Sequence, residues 1–191
     1  MAPEERRTAL VDVTLRLLRE HGRGVTTRQI AEAAGVAEGT IFRVVASKEE
    51  LVEAAISRAF EPGAVVERIE EIDRDLPLED RLVRLVSVLQ QRFRATFYLM
   101  RKVGMLRPPD HDGPEAEAAG ARIAGLMVDL VAPDADRLAV PVEEFCHRLR
   151  LLTFAGSHPQ IADGRLLGPE EVVQTVLHGL VRRDPGCSSH S

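Results

Sequence analysis

The chain has 191 residues, of which 45% are hydrophobic and 29% are charged, and its formal net charge is −5. This composition is typical of a folded globular protein and excludes a largely disordered one. No apolar run reaches the roughly 18 residues of a membrane span, and the first ten residues lack the apolar core of a signal peptide, so we expect a cytoplasmic protein.

Cysteine and histidine usage does not indicate a metal site or a disulfide framework. Cys146 and Cys187 are far apart, with no C-x-x-C pair and no cluster of cysteines and histidines. The nearest approach to a metal cluster is Asp110–Asp112. Its Pro/Gly-rich loop favours a solvated turn, because metal sites normally need three or four convergent ligands. We predict neither a metal nor a cofactor.

Helical spacing of apolar residues recurs along the chain, whereas sustained alternation of apolar and polar residues is absent. The sequence therefore predicts an all-α fold. The first helix is predicted to begin at Pro3 and to end at Gly22, because proline suits a helix start and glycine a helix end.

The second helix has the sharpest start signal. Thr26 is the predicted N-cap, and Gln29 occupies the position that completes a capping box. We predict a helix over Thr27–Ala34. Gly35 can end it by adopting a left-handed conformation.

The third and fourth helices follow after short breaks. The third is predicted over Glu38–Val45. Ser47 and Glu50 form a second capping-box signature, and Pro62 ends or kinks the helix that they begin. We therefore place a domain boundary near residue 60.

The remainder of the chain is also predicted to be helical. A long helix is expected over Leu78–Arg101, followed by helices over Pro114–Val131, Pro141–Ala155 and Pro169–Arg183, each with a proline near its start. The predicted domains are thus residues 1–60 and 61–183, and the tail 184–191 is predicted to be mobile.

Three short helices with a glycine-centred turn between the second and third are typical of a helix-turn-helix. This motif needs a small residue where its helices approach each other, a glycine in the turn and an apolar residue that locks the second helix in place. Ala31, Gly35 and Ile41 meet these requirements in turn. An ordinary helical hairpin is the alternative interpretation.

The segment from Val25 to Ile56 resembles the N-terminal domain of the tetracycline-repressor (TetR) family of bacterial regulators. It contains an Ile-Ala pair in the second helix, a Gly-Val turn, the sequence Gly-Thr-Ile-Phe in the third helix and Ser-Lys-Glu at the start of the fourth. The rest resembles the family only in its helix lengths and in the ending "GPEEVVQTVLHGL". The resemblance implies a homodimeric DNA-binding regulator that senses a ligand.

Seven residues are expected at the DNA by their positions in this resemblance. They are Thr26, Thr27 and Arg28 in the second helix, Thr40, Phe42 and Arg43 in the third, and Lys48 at the start of the fourth. Each has a structural alternative, such as a cap for Thr26 and a solvated surface residue for Lys48.

Two departures from the family pattern and the local charge predict modest DNA affinity. Ala37 replaces the frequent Ser or Thr N-cap, and Phe42 replaces a Tyr and lacks its hydroxyl. Residues 1–60 contain nine Lys or Arg and nine Asp or Glu, which cancel. We therefore expect a shallow dependence of DNA affinity on salt.

The larger C-terminal part is predicted to bind a small, largely apolar ligand, because adaptable Met and flat Phe side chains suit an organic molecule. The expected pocket residues are Phe93, Phe97, Met100, Met105, Met127 and Phe145. Packing in a core without a ligand is the alternative for each.

The last two helices are predicted to form a four-helix interface with a second copy of the chain. Their apolar stripes contain Val142, Leu149, Leu152, Val172, Val173, Val176, Leu177 and Leu180. Packing within one chain is the alternative. A dimer fits a DNA-binding role, because recognition helices about 34 to 36 Å apart meet successive major grooves.

The leading hypothesis is a homodimeric repressor that a small ligand releases from a palindromic operator. A DNA-binding regulator controlled by a protein partner, or acting constitutively, is the second. A helical enzyme is the least favoured, because the sequence contains no H-E-x-x-H, G-x-S-x-G or phosphate-binding loop.

Overall fold

A computed structural model describes residues 3–107, 109 and 113–180, and within these ranges it contains helices and turns but no strand. The all-α prediction is confirmed. The helices are α1 Pro3–His21, α2 Thr27–Ala34, α3 Glu38–Ile41, α4 Lys48–Phe60, α5 Gly63–Glu70, α6 Leu78–Val103, α7 Pro114–Val131, α8 Val142–Ser157 and α9 Pro169–His178. Short 3-10 turns lie at Gly22–Gly24 and Ala132–Arg137. None of the described helices is long and apolar enough to cross a membrane.

Most predicted helix boundaries agree with the structure, and α2 and α7 agree at both ends. The predicted end of the last helix at Arg183 is not reached, because α9 ends at His178 and Gly179 follows with a φ of +72°. The mobile tail predicted for residues 184–191 lies outside the described residues.

The described residues form two compact units. The first contains the residues up to Glu71 and Gln91–Leu126, and the second contains Ile72–Gln90 and the residues from Met127 onward. This division differs from the predicted functional domains, which remain predictions. The difference arises because the C-terminal half of α6 and the first part of α7 group with α1–α5.

The core of the first unit is a cluster of buried apolar side chains from α1, α2, α3, α4 and the end of α6. It includes Leu10, Leu18, Ile30, Ile41, Leu51, Ile56, Leu99 and Val103. α1 packs against both α2 and α4, and α2 packs against α3. The helices of the predicted helix-turn-helix therefore share one core with the last turns of α6.

Gly22 shows how closely α6 approaches α1. It follows α1 with a left-handed φ of +63°, which disfavours residues with a Cβ. A Cβ at this position would also overlap the main-chain carbonyl oxygen of Lys102. Both the local conformation and the contact with α6 therefore require glycine here.

Arg92 of α6 caps the end of α4. Its guanidinium donates to the carbonyl oxygens of Phe60 and Glu61 at 2.7 and 3.0 Å. Carbonyls at a helix end lack partners within the helix, and a cation there is favourable because the C-terminus carries partial negative charge. Burial lowers the pKa of Arg92 from its ordinary value. These hydrogen bonds offset the desolvation of the guanidinium.

α1 and α6 cap each other in a similar way. The Tyr98 hydroxyl of α6 donates to the carbonyl oxygen of Arg19 in the last turn of α1, at 3.1 Å. In return, Arg23, which follows α1, donates through Nε to the carbonyl oxygen of Val103 at 3.1 Å. The C-terminal half of α6 is therefore held to the carboxyl ends of both α1 and α4.

The second unit contains a buried ion pair. Arg81, whose side chain is 5% exposed, pairs with Asp134 and donates to the carbonyl oxygen of Arg74 at 3.1 Å. Arg137 donates to Asp134 at 2.6 Å. Hydrogen bonding from Arg137, and the bond and charge of Arg81, hold the pKa of Asp134 below its ordinary value, although burial acts in the opposite direction.

The rest of the second unit is organised around α8 and α9, which pack together. The segment before α9 lies against α8, because Leu167 donates its main-chain N–H to the Gly156 carbonyl oxygen at 3.0 Å. A Cβ at Gly156 would approach the Leu167 side chain to 2.9 Å. The buried Gln90 amide of α6 donates to the Leu167 carbonyl oxygen at 2.9 Å. This segment is thus fixed from two sides.

Candidate nucleic-acid interface

Two local signals position α2. The Thr26 hydroxyl oxygen accepts the main-chain N–H of Gln29 at 3.2 Å, and the Gln29 side chain accepts the main-chain N–H of Thr26 at 2.9 Å. The predicted capping box is confirmed. Gly35 ends the helix with a φ of +67°, which also confirms the predicted left-handed turn. The DNA contact predicted for Thr26 remains a prediction.

α3 is held by one buried side chain, Ile41, which is 0% exposed and belongs to the first unit's core. The prediction of a helix as far as Val45 is wrong, because α3 ends at Ile41 and continues as turns. Ala37, at its N-cap, makes no side-chain cap. A helix without a cap and with β-branched residues at positions 44 and 45 has little to extend it.

The other residues of this segment remain accessible. Phe42 is 53% exposed, Arg43 is exposed and Thr40 is partly exposed. An exposed aromatic ring next to a guanidinium can meet a base edge, a thymine methyl or a sugar. The structure thus leaves all three residues predicted in the third helix available at one surface segment.

The basic side chains of the first unit divide into two groups. Arg7, Arg23 and Arg58 are paired with Glu50, Glu53 and Asp12, at 3.6, 3.1 and 3.6 Å. By contrast, Arg28 and Arg43 are exposed and have no ion pair within the part of the chain that the structure describes. Two of the predicted DNA contacts are therefore among the charges of the first unit for which the described residues show no ion pair.

Lys48 lies in the first turn of α4. Its ammonium is 3.9 Å from a carboxylate oxygen of Glu49, which is the outer limit of an ion pair. The Ser47 hydroxyl oxygen accepts the N–H of Glu50 at 3.1 Å, as predicted, but the Glu50 carboxylate accepts the N–H of Ala46 at 2.7 Å. In a complete capping box the Glu50 carboxylate would accept the N–H of Ser47, so the observed bond lies one residue earlier in the chain.

Thr27 has a hydrogen-bond partner in α3 that its sequence position did not indicate. Its hydroxyl donates to the carboxylate of Glu38, the first residue of α3. This bond connects the start of α2 to the start of α3. Because the hydroxyl proton is engaged, Thr27 is not free to donate it to a phosphate in this arrangement.

A capped α2, a left-handed glycine turn and a short α3 locked by a buried isoleucine define a helix-turn-helix domain. Residues 10–55 match the family model described as "Bacterial regulatory proteins, tetR family". This N-terminal segment of the chain is therefore similar to the family that the resemblance indicated.

The chain is also similar to curated proteins over part of their length and, in fold, to solved structures. Over 95 residues the chain is 37% identical to the HTH-type transcriptional repressor KstR of Rhodococcus jostii, a match that spans 49% of this chain and 42% of KstR. The crystal structure of a tetR-family transcriptional regulator from Streptomyces coelicolor is similar in fold, with a TM-score of 0.59 and 24% identity. The match spans 93% of this chain and 79% of that protein. The structure of the Thermus thermophilus repressor FadR in complex with lauroyl-CoA has a TM-score of 0.50 and 20% identity. The match spans 96% of this chain and 100% of that protein.

The predicted ligand-binding residues lie in both compact units. Phe93, Phe97 and Met100 are partly buried on α6 in the first unit, and the rings of Phe93 and Phe97 stack with centroids 6.3 Å apart. Met105 packs against the core of the first unit, which assigns it a packing role. The remaining two residues, Met127 and Phe145, are buried in the second unit.

The predicted dimer interface needs a correction. Leu149, Val172 and Val173 are each 0% exposed in a single chain, so they pack within the second unit and cannot meet a partner without unfolding it. For these three residues the structure favours the alternative of packing within one chain, and the four-helix interface as a whole stays a prediction. Four others, Val142, Leu152, Val176 and Leu177, are partly buried, and Leu180 is exposed.

Two exposed apolar residues of α8 were not predicted as interface residues from the sequence. Leu151 is 50% exposed and Phe154 is 39% exposed, and they lie three residues apart on the surface of the helix. For Leu151 the spacing contained the signal, because a residue two positions from the buried Leu149 and Thr153 lies on another face of the helix.

No group of metal-binding side chains is found among the described residues. Asp110–Asp112 and Cys187 lie outside them. Cys146 is buried, and burial together with the charge of Glu143 raises the pKa of its thiol to about 11. The thiol is therefore protonated near neutral pH and unsuited to act as a nucleophile.

Proposed function

We propose that the chain is a homodimeric transcriptional regulator, most simply a repressor, that binds a palindromic DNA operator through α2, α3 and the start of α4. The observation that carries this proposal is the exposed surface of α3 and the following turn, where Thr40, Phe42 and Arg43 surround the buried Ile41. In helix-turn-helix proteins the second helix enters the major groove. The repressor activity of KstR supports the same function.

Genome-wide selection of bound DNA fragments tests this proposal. The full chain should enrich fragments that share a palindromic site with half-sites one helical turn apart or a multiple of it. Enrichment of no common site would reject DNA regulation as the function. The genes next to an enriched site would indicate what the protein regulates.

A matched pair of variants tests the proposed surface. Arg43→Ala should weaken operator binding by about fivefold or more, because a well-placed guanidinium contributes about 1–3 kcal/mol at a base edge. Arg84→Ala removes an equally exposed guanidinium from the second unit and should leave operator affinity unchanged. Equal effects of the two variants would remove α3 from the interface.

The proposed dimer uses the exposed surface of α8. Leu151 and Phe154 offer apolar area that one chain leaves accessible, as a self-complementary two-fold interface requires. Two copies would present two α3 segments to successive major grooves. The weak local charge also fits a dimer, because doubling the few phosphate contacts of one chain raises its affinity for DNA.

The proposed ligand is a small, largely apolar molecule that contacts the stacked rings of Phe93 and Phe97 and the nearby Met100. These side chains are partly buried on α6 and provide flat and adaptable apolar surface. The lauroyl-CoA bound to Thermus thermophilus FadR supports an acyl chain as the ligand class to test first.

Thermal unfolding with lauroyl-CoA, and with free CoA as the control, tests this assignment. A ligand at 100 times its Kd stabilises the folded protein by about 2.7 kcal/mol, so binding should raise the melting temperature measurably. Stabilisation by lauroyl-CoA but not by CoA would support the acyl chain as the recognised part. Phe97→Ala should reduce that stabilisation.

The contacts of α6 support a coupling mechanism. Arg92 caps α4 and Tyr98 caps α1, so a ligand that changes the position of α6 would move the helices that support α3. The ligand shifts DNA affinity only by its differential affinity for the two arrangements. A regulator controlled by a protein partner instead remains the second candidate, favoured if a broad thermal-shift screen yields no ligand.

A further inference from the structure

Glu38 is an acidic residue at the segment of the chain proposed to enter the major groove. It is the first residue of α3, its side chain is exposed, and it has no ion pair among the described residues. The N-terminal residues of a recognition helix are the ones that contact base edges. A carboxylate in this position repels phosphates and needs a hydrogen-bond donor on a base.

Thr27 orients this carboxylate. The Thr27 hydroxyl at the start of α2 donates to one oxygen of Glu38 and leaves the second oxygen available. Holding one oxygen restricts the rotamers of a long side chain and so reduces the entropy lost on binding. Thr27 is therefore a positioning residue for Glu38.

The neighbouring Gly39 leaves room for a close approach. It has no positive φ, and a Cβ built on it would meet no atom within 4 Å beyond its chain neighbours and the backbone of its own helix. Neither the fold nor the backbone conformation requires glycine, which costs about 0.5–1 kcal/mol relative to alanine inside a helix. An external partner that approaches the main chain beside Glu38 gives this glycine a role.

We infer that Glu38 is a specificity-determining residue that accepts a hydrogen bond from the N4 amino group of a cytosine in each operator half-site. Among the base edges of the major groove, the cytosine amino group is the donor that Glu and Asp recognise. Phe42 lies one turn further along the same side of the segment and can contact an adjacent thymine methyl. This inference rests on the proposed DNA-binding function and assigns part of its sequence preference.

Selection from a library of random-sequence duplexes tests the inference, using the full chain and five single-residue variants. The unaltered chain should enrich a cytosine at one position of each half-site, and replacing it should weaken binding by about tenfold. Glu38→Gln should change the preference at this position to adenine, because an amide pairs with adenine N6 and N7. Glu38→Ala should select all four bases there and leave the other positions unchanged.

Two controls separate base recognition from charge and from folding. Glu32→Ala removes an exposed carboxylate of α2 and should keep the cytosine. Thr27→Val should weaken the cytosine preference and Thr27→Ser should restore it, with circular dichroism confirming that each variant is folded. If Glu38→Ala selects the same cytosine as the unaltered chain, the inference is wrong although the DNA-binding function stands. If the unaltered chain enriches no site, the proposed function itself fails.

Discussion

The helix-turn-helix region and the α8–α9 region were both predicted from apolar patterns. They differ in whether local sequence signals or contacts with distant residues determine the observed structure. In α1–α4, the capping box at Thr26 and the glycine turn at Gly35 determine where α2 begins and ends. In the α8–α9 region, the predicted stripe contains both fully buried residues, such as Leu149, and an exposed one, Leu180, which lies beyond the end of α9. Local signals thus determine structure in the first region, and distant contacts do so in the second.

This difference shows what an apolar stripe measures. It identifies the side of a helix that leaves water, but it does not identify the surface that covers it. In the second unit, α9 and the segment around Leu167 cover α8 within the same chain. The exposed Leu151 and Phe154 then become the candidates for contact with a second copy.

The largest expected effect comes from breaking a distant contact of the second unit. Asp134→Asn removes the negative charge that pairs with the buried Arg81, and it should lower the free energy of unfolding by about 3–5 kcal/mol. The exposed Asp136 provides the control, and Asp136→Asn should change it by less than about 0.5 kcal/mol. Denaturant unfolding measures both. Equal stability of the two variants would show that the Arg81 pair contributes little.

The pH dependence of the same variant gives the sign of the ionic contribution. The hydrogen bond from Arg137 and the interactions with Arg81 hold the pKa of Asp134 below its ordinary value. Its stabilisation should therefore be fully present above the unfolded-state pKa of about 3.9 and should be lost as the pH falls through the lower folded-state value. The difference between the unaltered chain and Asp134→Asn should thus shrink only under acid conditions.

The sequence could not have predicted this pair. Arg81 and Asp134 are 53 positions apart, and nothing in their neighbouring residues connects them. The helix boundaries of α2 and α4, by contrast, depend on residues within one turn of each end. Accordingly, helix starts were largely predictable, whereas the partners of buried side chains required the fold.

Two leucines of α8 distinguish the core from the proposed dimer surface. Leu149→Ala should lower the free energy of unfolding by about 2–5 kcal/mol, because it creates a cavity at a fully buried site. Leu151→Ala should change the unfolding of one chain by less than about 0.5 kcal/mol. Instead it should weaken self-association in sedimentation experiments. Unfolding should be followed at several protein concentrations, because dimerisation stabilises the folded state. An unchanged dimer in Leu151→Ala would place the interface elsewhere.

In the first unit, substitution of Arg92 should affect the coupling between ligand binding and operator affinity more than it affects the stability of the fold. Arg92→Met keeps the aliphatic part of the side chain but removes the hydrogen bonds to Phe60 and Glu61. We expect it to reduce the ligand-induced change in operator affinity, which typically amounts to 1–3 kcal/mol, or about 5- to 150-fold, in coupled systems. Operator affinity would be measured with and without a ligand found by the thermal-shift screen, with Arg84→Met as the control. A full ligand response in Arg92→Met would exclude this cap from the coupling.

The candidate site was predictable only in part. The family resemblance predicted Arg28 and Arg43 as DNA contacts. The structure leaves both side chains exposed and without an ion pair in the ranges that it describes. Glu38 was overlooked because one carboxylate in a helix does not stand out by spacing. Its contact with Thr27 joins residues 11 positions apart and emerges only when α2 and α3 pack together.

The smallest expected effect tests whether a local signal is missing from α3. Ala37 has the extended conformation of an N-cap, with φ −69° and ψ 141°, but it provides no side-chain acceptor. Ala37→Ser supplies one, and it should raise the free energy of unfolding by about 0.5–1 kcal/mol, near the lower end of measured N-cap effects because this site is exposed. Ala33→Ser places the same hydroxyl inside α2, where serine is a poorer helix former than alanine, and should have the opposite sign. The two variants add identical atoms, so changes of opposite sign in the free energy of unfolding would identify capping as the cause. Changes of the same sign would show that the missing cap does not limit the stability of α3.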